Sequence, residues 1–237
     1  MAERHRLSPS RLVGILGGMG PAATVDFYAK LVRHTPAEQD QDHLRVVIWG
    51  DPSVPNRQEA LLAGGTDPTP WLEEGVRRLI DAGAEIVVVP CNTVHAHVRP
   101  VMAGQPVEFI DIIDTTVEAV RRRGLHRVGL LATDGALASG IFQRGLDAAG
   151  VEWVLPSPER QASLMRLVHA VKTGRVDTAT LTAMADLLAE IDSRGASTAV
   201  AGCTEISTLL ERPPGGADVV DPALELALRT VERARHT

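Results

Sequence analysis

The apolar positions of this chain switch repeatedly between short unbroken runs and a helical spacing. Residues 12–17 read Leu-Val-Gly-Ile-Leu-Gly, with no polar interruption, which predicts a strand buried on both faces. Gly18-Met19-Gly20-Pro21 follows as a tight turn, with Pro21 suited to the first position of a helix. Val25, Tyr28, Ala29 and Val32 then recur at helical spacing within residues 22–32. The alternation continues to the end of the chain. Strands are predicted at 44–49, 85–90, 107–110, 127–132, 152–155, 198–201 and 219–220, and helices at 71–82, 113–123, 136–149, 159–172, 178–194 and 223–235. Such alternation predicts an α/β fold of parallel sheet covered by helices. Residues 51–70 stand outside it. They hold Pro52, Pro55, Pro68, Pro70 and Gly64-Gly65, and read as a long structureless segment of the kind that forms binding loops or lids. Arg212-Pro213-Pro214-Gly215-Gly216 reads as a surface turn and the first ten residues as a loose tail.

The pattern also repeats itself. Val13-Gly14-Ile15-Leu16-Gly17-Gly18-Met19-Gly20 resembles Val128-Gly129-Leu130-Leu131-Ala132-Thr133-Asp134-Gly135, 115 residues on. Ile86-Val87-Val88-Val89-Pro90-Cys91-Asn92-Thr93 resembles Thr198-Ala199-Val200-Ala201-Gly202-Cys203-Thr204-Glu205, 112 residues on. Two matches in order at nearly equal offset predict two similar lobes. The first takes residues 1–112 with 221–237, the second 113–220. Ligands of open α/β sheets bind beyond the carboxyl ends of the strands, so a pseudo-two-fold would place the site in the cleft between the lobes.

Composition narrows the classes. The 237 residues suffice for one large α/β domain or two lobes. A net charge of −6 argues against a nucleic-acid partner. No apolar run approaches a membrane span, and the start has no secretory pattern, so a cytoplasmic protein is expected. Two cysteines make no disulfide framework and suit a reducing compartment. Only two of the 24 basic residues are lysines, Lys30 and Lys172, and Lys30 reads as part of a surface helix.

Both cysteines fall at the equivalent strand end, just before a helix start. Either alone reads as a buried small hydrophobe. As a pair they acquire a chemical meaning: two thiols on opposite walls of one cleft could remove a proton from one face of a carbon and return one to the other. Exposed backbone N–H groups at the helix starts would depress the thiol pKa values and hold a carboxylate. A cross-cleft disulfide reads as an oxidation product only. Asn92, Thr93, Thr133 and Thr204 are candidates for holding a substrate carboxylate or ammonium, Thr133 because it occupies the strand end equivalent to Gly18.

Three segments, Gly14-Ile15-Leu16-Gly17-Gly18-Met19-Gly20-Pro21, Pro90-Cys91-Asn92-Thr93-Val94-His95 and Gly202-Cys203-Thr204-Glu205-Ile206, resemble the aspartate/glutamate racemases that use no pyridoxal phosphate. The resemblance runs from about residue 13 to 226. It implies two lobes, no cofactor, a homodimer, an amino-acid substrate, and Cys91 and Cys203 as the acid/base pair. In the aspartate branch it implies that Arg57 and Lys172 bind the distal carboxylate, which suits two fixed cations. Met19, Gly20 and Glu205 complete the implied substrate-binding set. The family pattern Pro-Asp-Arg-Thr is here Pro55-Asn56-Arg57-Gln58, which bears on how the substrate ammonium is held.

Other readings remain. Gly18-Met19-Gly20-Pro21-Ala22-Ala23 fits a dinucleotide pattern, but no acidic residue ends a second strand. His95 and His97 with Cys91 suggest a metal, but positions two apart on a helix diverge. A pyridoxal phosphate enzyme needs a Schiff-base lysine, and neither lysine has such a context. An amino-acid sensor would use the cleft without chemistry and would not require thiols. A related cysteine-dependent racemase or isomerase would act on a different small carboxylate.

Overall fold

The computed structural model describes residues 10–210 and 216–235; the expected N-terminal tail and the 212–216 turn lie, save for Ser10 and Gly216, outside the described residues. Two four-stranded sheets carry the fold. The first has β1 (Val13–Gly17), β2 (Val46–Gly50), β3 (Ile86–Val88) and β4 (Glu108–Ile110) in the order β2-β1-β3-β4. The second has β5 (Arg127–Leu130), β6 (Glu152–Val154), β7 (Thr198–Val200) and β8 (Asp218–Val220) in the order β6-β5-β7-β8. Every pairing is parallel. The order is the same in both, and so is the register: Gly14 sits opposite Val87 as Gly129 sits opposite Ala199. The internal repeat read from the sequence is thus a repeat of topology.

Helices α1 (Pro21–His34), α3 (Thr69–Asp81) and α4 (His95–Met102) cover the first sheet, with short α2 (Arg57–Leu62) before α3, and α5 (Ile112–Arg122) crosses to the second sheet at β8. Then come α6 (Asp134–Ser139), α7 (Ile141–Ala148), α8 (Pro158–Lys172), α9 (Thr178–Ser193), α10 (Thr204–Leu209) and α11 (Pro222–Arg235). The strands bury alternate side chains in different cores, as parallel strands covered on both faces must. Val87 and Val89 face Leu72, Val76 and Val98 on α3 and α4, while Leu131 and Ala201 face Leu164, Leu187 and Ile191 on α8 and α9. The opposite faces meet in one continuous core: Ile15 and Val88 of the first sheet share it with Leu130 and Val200 of the second. Phe27, Ile112, Phe142 and Leu226 fill the space between. The lobes are therefore joined by packing and not only by chain crossings.

Several expectations are corrected. The 51–70 segment is not structureless: Asn56 accepts the Gln58 N–H and starts α2, and α3 begins at Thr69. The helix expected over 136–149 is two, α6 and α7, because Gly140 turns left-handed (φ 64°) and ends the first. On α1 the period is right but the face is wrong. Phe27 and Leu31 are buried, whereas Val25, Tyr28 and Val32 face solvent. Lys30 is not a surface residue; only 3% exposed, it pairs with Asp26 and, at 3.5 Å, with Asp221 at the start of α11. The glycine turn after β1 is forced by packing. Gly18 has φ +94°, and a Cβ there would lie 2.4 Å from the backbone of Asp51, just past β2. No helix among the described residues is long and apolar enough to cross a membrane.

Candidate active site

The carboxyl ends of β1, β3, β5 and β7 converge on one cavity. Cys91 and Cys203, three residues beyond β3 and β7, both line it and are both buried. Asn92, Thr93 and Thr204 line it beside them, and Thr133 enters from the end of β5. Met19, Arg57, Lys172 and Glu205 complete its wall. Of the catalytic and substrate-binding candidates, Gly20 alone stands outside this lining. It borders an adjoining cavity of about 210 Å³ that Arg57, Lys172 and Glu205 also border. The thiol cavity itself is narrow, with about 20 Å³ of free volume, the room of about one water molecule. Asn56 and Gln58 line it too. The sequence marked them only as departures from a motif.

Local structure explains how these groups are held. Thr133 caps α6, accepting the Ala136 N–H at 3.3 Å. Its hydroxyl also lies 2.9 Å from that of Thr93, one side chain from each half of the repeat. Gln58 reaches across in the same way, its side-chain oxygen accepting the Gly135 N–H at 3.2 Å. Asn92 is 1% exposed, yet neither its amide nitrogen nor its amide oxygen has a hydrogen-bond partner. Buried amides are ordinarily satisfied. The Asn92 side chain thus leaves one donor and one acceptor group unpaired beside the Cys91 turn.

Behind Cys91 stands His95, wholly buried and stacked on Phe109. A carbonyl can only accept, so the Nδ1 of His95, 2.8 Å from the Cys91 carbonyl, carries the proton. Nε2 is then free to accept the Ile112 N–H at 3.4 Å. The ring ties the β3–α4 turn to the start of α5. Burial, opposed by Asp111, lowers its pKa and keeps it neutral. His97 points elsewhere, 3.9 Å from Asp67. Among the described residues no three His, Cys, Asp or Glu side chains gather to hold a metal ion.

The electrostatics differ from expectation at Cys203. The helix start was expected to depress its pKa. Instead burial, and after it the Glu205 carboxylate, hold the thiol well above its ordinary range. The thiol donates to Glu205 Oε2 at 3.0 Å, and the Glu205 backbone N–H and the Lys172 charge offset only part of the rise. Lys172 lies 3.6 Å from Glu205 Oε1. Arg57 donates to the carbonyls of Val54, Pro55 and Met19 at 3.0–3.2 Å, which fixes its guanidinium at the cavity edge.

Comparison with known proteins adds an independent finding. Residues 16–229 match the family model described as Asp/Glu/Hydantoin racemase. The structure of an aspartate racemase from Picrophilus torridus superposes with a TM-score of 0.82 at 30% identity, over 94% of each chain. The broad specificity amino-acid racemase RacX of Bacillus subtilis is 24% identical over 224 residues, 93% of this chain and 96% of its own. A glutamate racemase of Francisella tularensis, solved with D-glutamate, shares the fold at 16% identity, with a TM-score of 0.69 over 94% of this chain and 81% of that one.

Proposed function

On the premise that this chain belongs to the Asp/Glu/Hydantoin racemase family and is an enzyme of the amino-acid racemase type, we propose that it inverts the α-carbon of an acidic amino acid, aspartate before glutamate, with two thiols and no cofactor. One observation carries the reading: Cys91 and Cys203 stand at equivalent strand ends and open on the same cavity. One thiolate removes the α-proton. The other thiol protonates the planar carbanion from the opposite face. The two then exchange roles for the reverse direction. Asn92, Thr93, Thr133 and Thr204 hold the α-carboxylate and ammonium. N–H groups at the turns offset the charge that develops on the carboxylate oxygens. Arg57 and Lys172, from opposite halves of the repeat, face the distal carboxylate, and the net positive charge of Arg57, Lys172 and Glu205 together favours an anion.

The same reading treats 1–112 with 221–237 and 113–220 as the two lobes, and the protein as a cytoplasmic homodimer. The exposed Val25, Tyr28 and Val32 of α1 offer an apolar face for a partner subunit. A second reading, a wider range of amino-acid side chains, draws support from the 210 Å³ cavity beyond Arg57 and Lys172 and from the likeness to RacX. The test is incubation with single enantiomers of aspartate, glutamate and neutral amino acids in D₂O, following chirality and deuterium at Cα. Exchange with aspartate or glutamate alone supports the first reading. Exchange across the panel supports the second. Binding without exchange turns the protein into a sensor and ends both.

A further inference from the structure

Arg57, Lys172 and Glu205 border two cavities at once, the thiol cavity of about 20 Å³ and the adjoining one of about 210 Å³. Two features of the larger cavity are left unused by a short acidic side chain. First, α1 begins there uncapped. No side chain bonds to its first turn, which holds no acidic residue, and its 14 residues give it a full dipole. The Thr24 N–H is taken by the Gly20 carbonyl. Ala22 and Ala23 come before it in the helix, so their N–H groups have no carbonyl a turn behind them, and both residues border the cavity. Such a helix start favours an anion. Second, the buried Glu205 has one oxygen to spare. Oε2 accepts the Cys203 thiol at 3.0 Å, but Oε1 has no hydrogen-bond partner although the residue is only 6% exposed. Lys172 Nζ, at 3.6 Å from Oε1, forms an ion pair without a hydrogen bond. A Cβ on Gly20 would lie 3.5 Å from Oε1, and Gly20 borders the larger cavity but not the smaller, so Oε1 lies on the larger cavity's side. Arg57 donates to three carbonyls and, among the described residues, to no carboxylate. The cavity therefore offers an uncompensated cation and a helix start to an anion, and an unpaired acceptor to a donor.

We propose that this 210 Å³ cavity is a subsite for the far end of a long substrate, and that this end is itself an amino-acid group. The substrate class is then the diamino dicarboxylic acids, which carry a carboxylate and an ammonium at each end. The proposal rests on the two-thiol reading above and extends its substrate range. A far carboxylate alone would satisfy Arg57 and α1 but leave Oε1 unpaired. A far ammonium alone would reach Oε1 but face Arg57 and Lys172. A group carrying both, side by side, satisfies every one of these partners: its carboxylate lies against Arg57 and the first turn of α1, and its ammonium donates to Oε1. The near α-carbon then stands between the thiols. The chemistry there is unchanged. One thiolate takes the α-proton, the C–H electron pair stays on Cα, and the other thiol supplies the proton that forms the new C–H bond, so that no oxidant or reductant is needed. The far centre meets no thiol and keeps its configuration. An LL isomer is therefore converted into the meso isomer.

The test follows deuterium at Cα and chirality in D₂O with four probes: LL-2,6-diaminopimelate, L-2-aminopimelate, which lacks the far ammonium, L-lysine, which lacks the far carboxylate, and L-aspartate. Diaminopimelate is expected to exchange one of its two α-protons and to accumulate as the meso isomer. Its kcat/KM is expected to exceed those of 2-aminopimelate and lysine by about tenfold each, the worth of one charged hydrogen bond. Ala22 is exposed at the start of α1, so a longer side chain there projects into the cavity mouth without disturbing a core. In Ala22→Leu the ratio of the diaminopimelate to the aspartate kcat/KM is expected to fall about tenfold. Thr208→Leu narrows the same cavity from α10 and should shift the ratio in the same direction. The ratio is read within one variant, so a loss of folded protein does not imitate the effect. Exchange with aspartate but none with diaminopimelate, a 2-aminopimelate or lysine value equal to that of diaminopimelate, or an unchanged ratio in both variants overturns the proposal and leaves the two-thiol reading standing. Exchange with none of the four probes, or full activity in Cys91→Ala or Cys203→Ala, overturns the two-thiol reading itself.

Discussion

At the scale of single residues, the site consists of ordinary side chains made unusual by where the turns put them. On the proposed mechanism the thiols are the reacting groups, each serving one face of the carbanion. Cys91→Ala and Cys203→Ala are each expected to lower racemisation by roughly three orders of magnitude while leaving the thermal midpoint near that of wild type, as chiral chromatography and calorimetry would show. His95 is a different kind of residue, a positioning group locked by two main-chain bonds. Its folded pKa lies below its ordinary 6.5 because burial disfavours the charged ring. The unfolded chain therefore binds a proton that the folded one refuses once pH falls below that value. Stability is lost as pH drops from about 6.5 toward the folded pKa, with a slope of at most about 1.4 kcal/mol per pH unit from this site. His95→Asn keeps a donor for the Cys91 carbonyl and cannot titrate. Thermal midpoints measured from pH 8 to pH 5 should fall less steeply in the variant than in the wild type, and equal slopes would remove His95 from the account.

At the scale of elements, α2 is the part the sequence hid. Proline and glycine on both sides of it read as punctuation, and six residues are too few to display a helical period. What holds α2 is tertiary: Gln58 to the first turn of α6, and Arg57 to the carbonyl of Met19 beyond β1. With α2 in this position the thiol cavity has about 20 Å³ of free volume, far below the several hundred Å³ typical of ligand pockets. Room for an amino acid requires the cavity walls to part, and α2 against α6 is the wall expected to move. Hydrogen exchange should find the amides of Arg57–Leu62 opening well before those of Val13–Gly17, and aspartate should slow them; an α2 that exchanges as slowly as β1 without ligand contradicts this.

At the scale of the whole molecule, α11 returns the chain's end to the first half, where it packs on α1, and Lys30 is the charge at their contact. It is nearly buried between Asp26 and Asp221. Lys30→Met leaves two carboxylates facing an uncharged side chain, which should cost about 3 kcal/mol and lower the thermal midpoint by roughly 6–12 °C. A midpoint unchanged within error would show that the pair contributes nothing to holding α11 on α1. The sequence by itself determined the parallel α/β class, the duplicated strand order and the equivalent cysteine positions. Those follow from local periodicity and from self-similarity, both written along the chain. Only the tertiary structure decided which face of α1 is buried, where Lys30 finds its partners, that residues 57–62 form a helix against the other half, and that Cys203 has a carboxylate at its sulfur. Each of these depends on a neighbour tens of residues away or on the burial that neighbours create, and neither hydropathy nor spacing records the approach of distant segments.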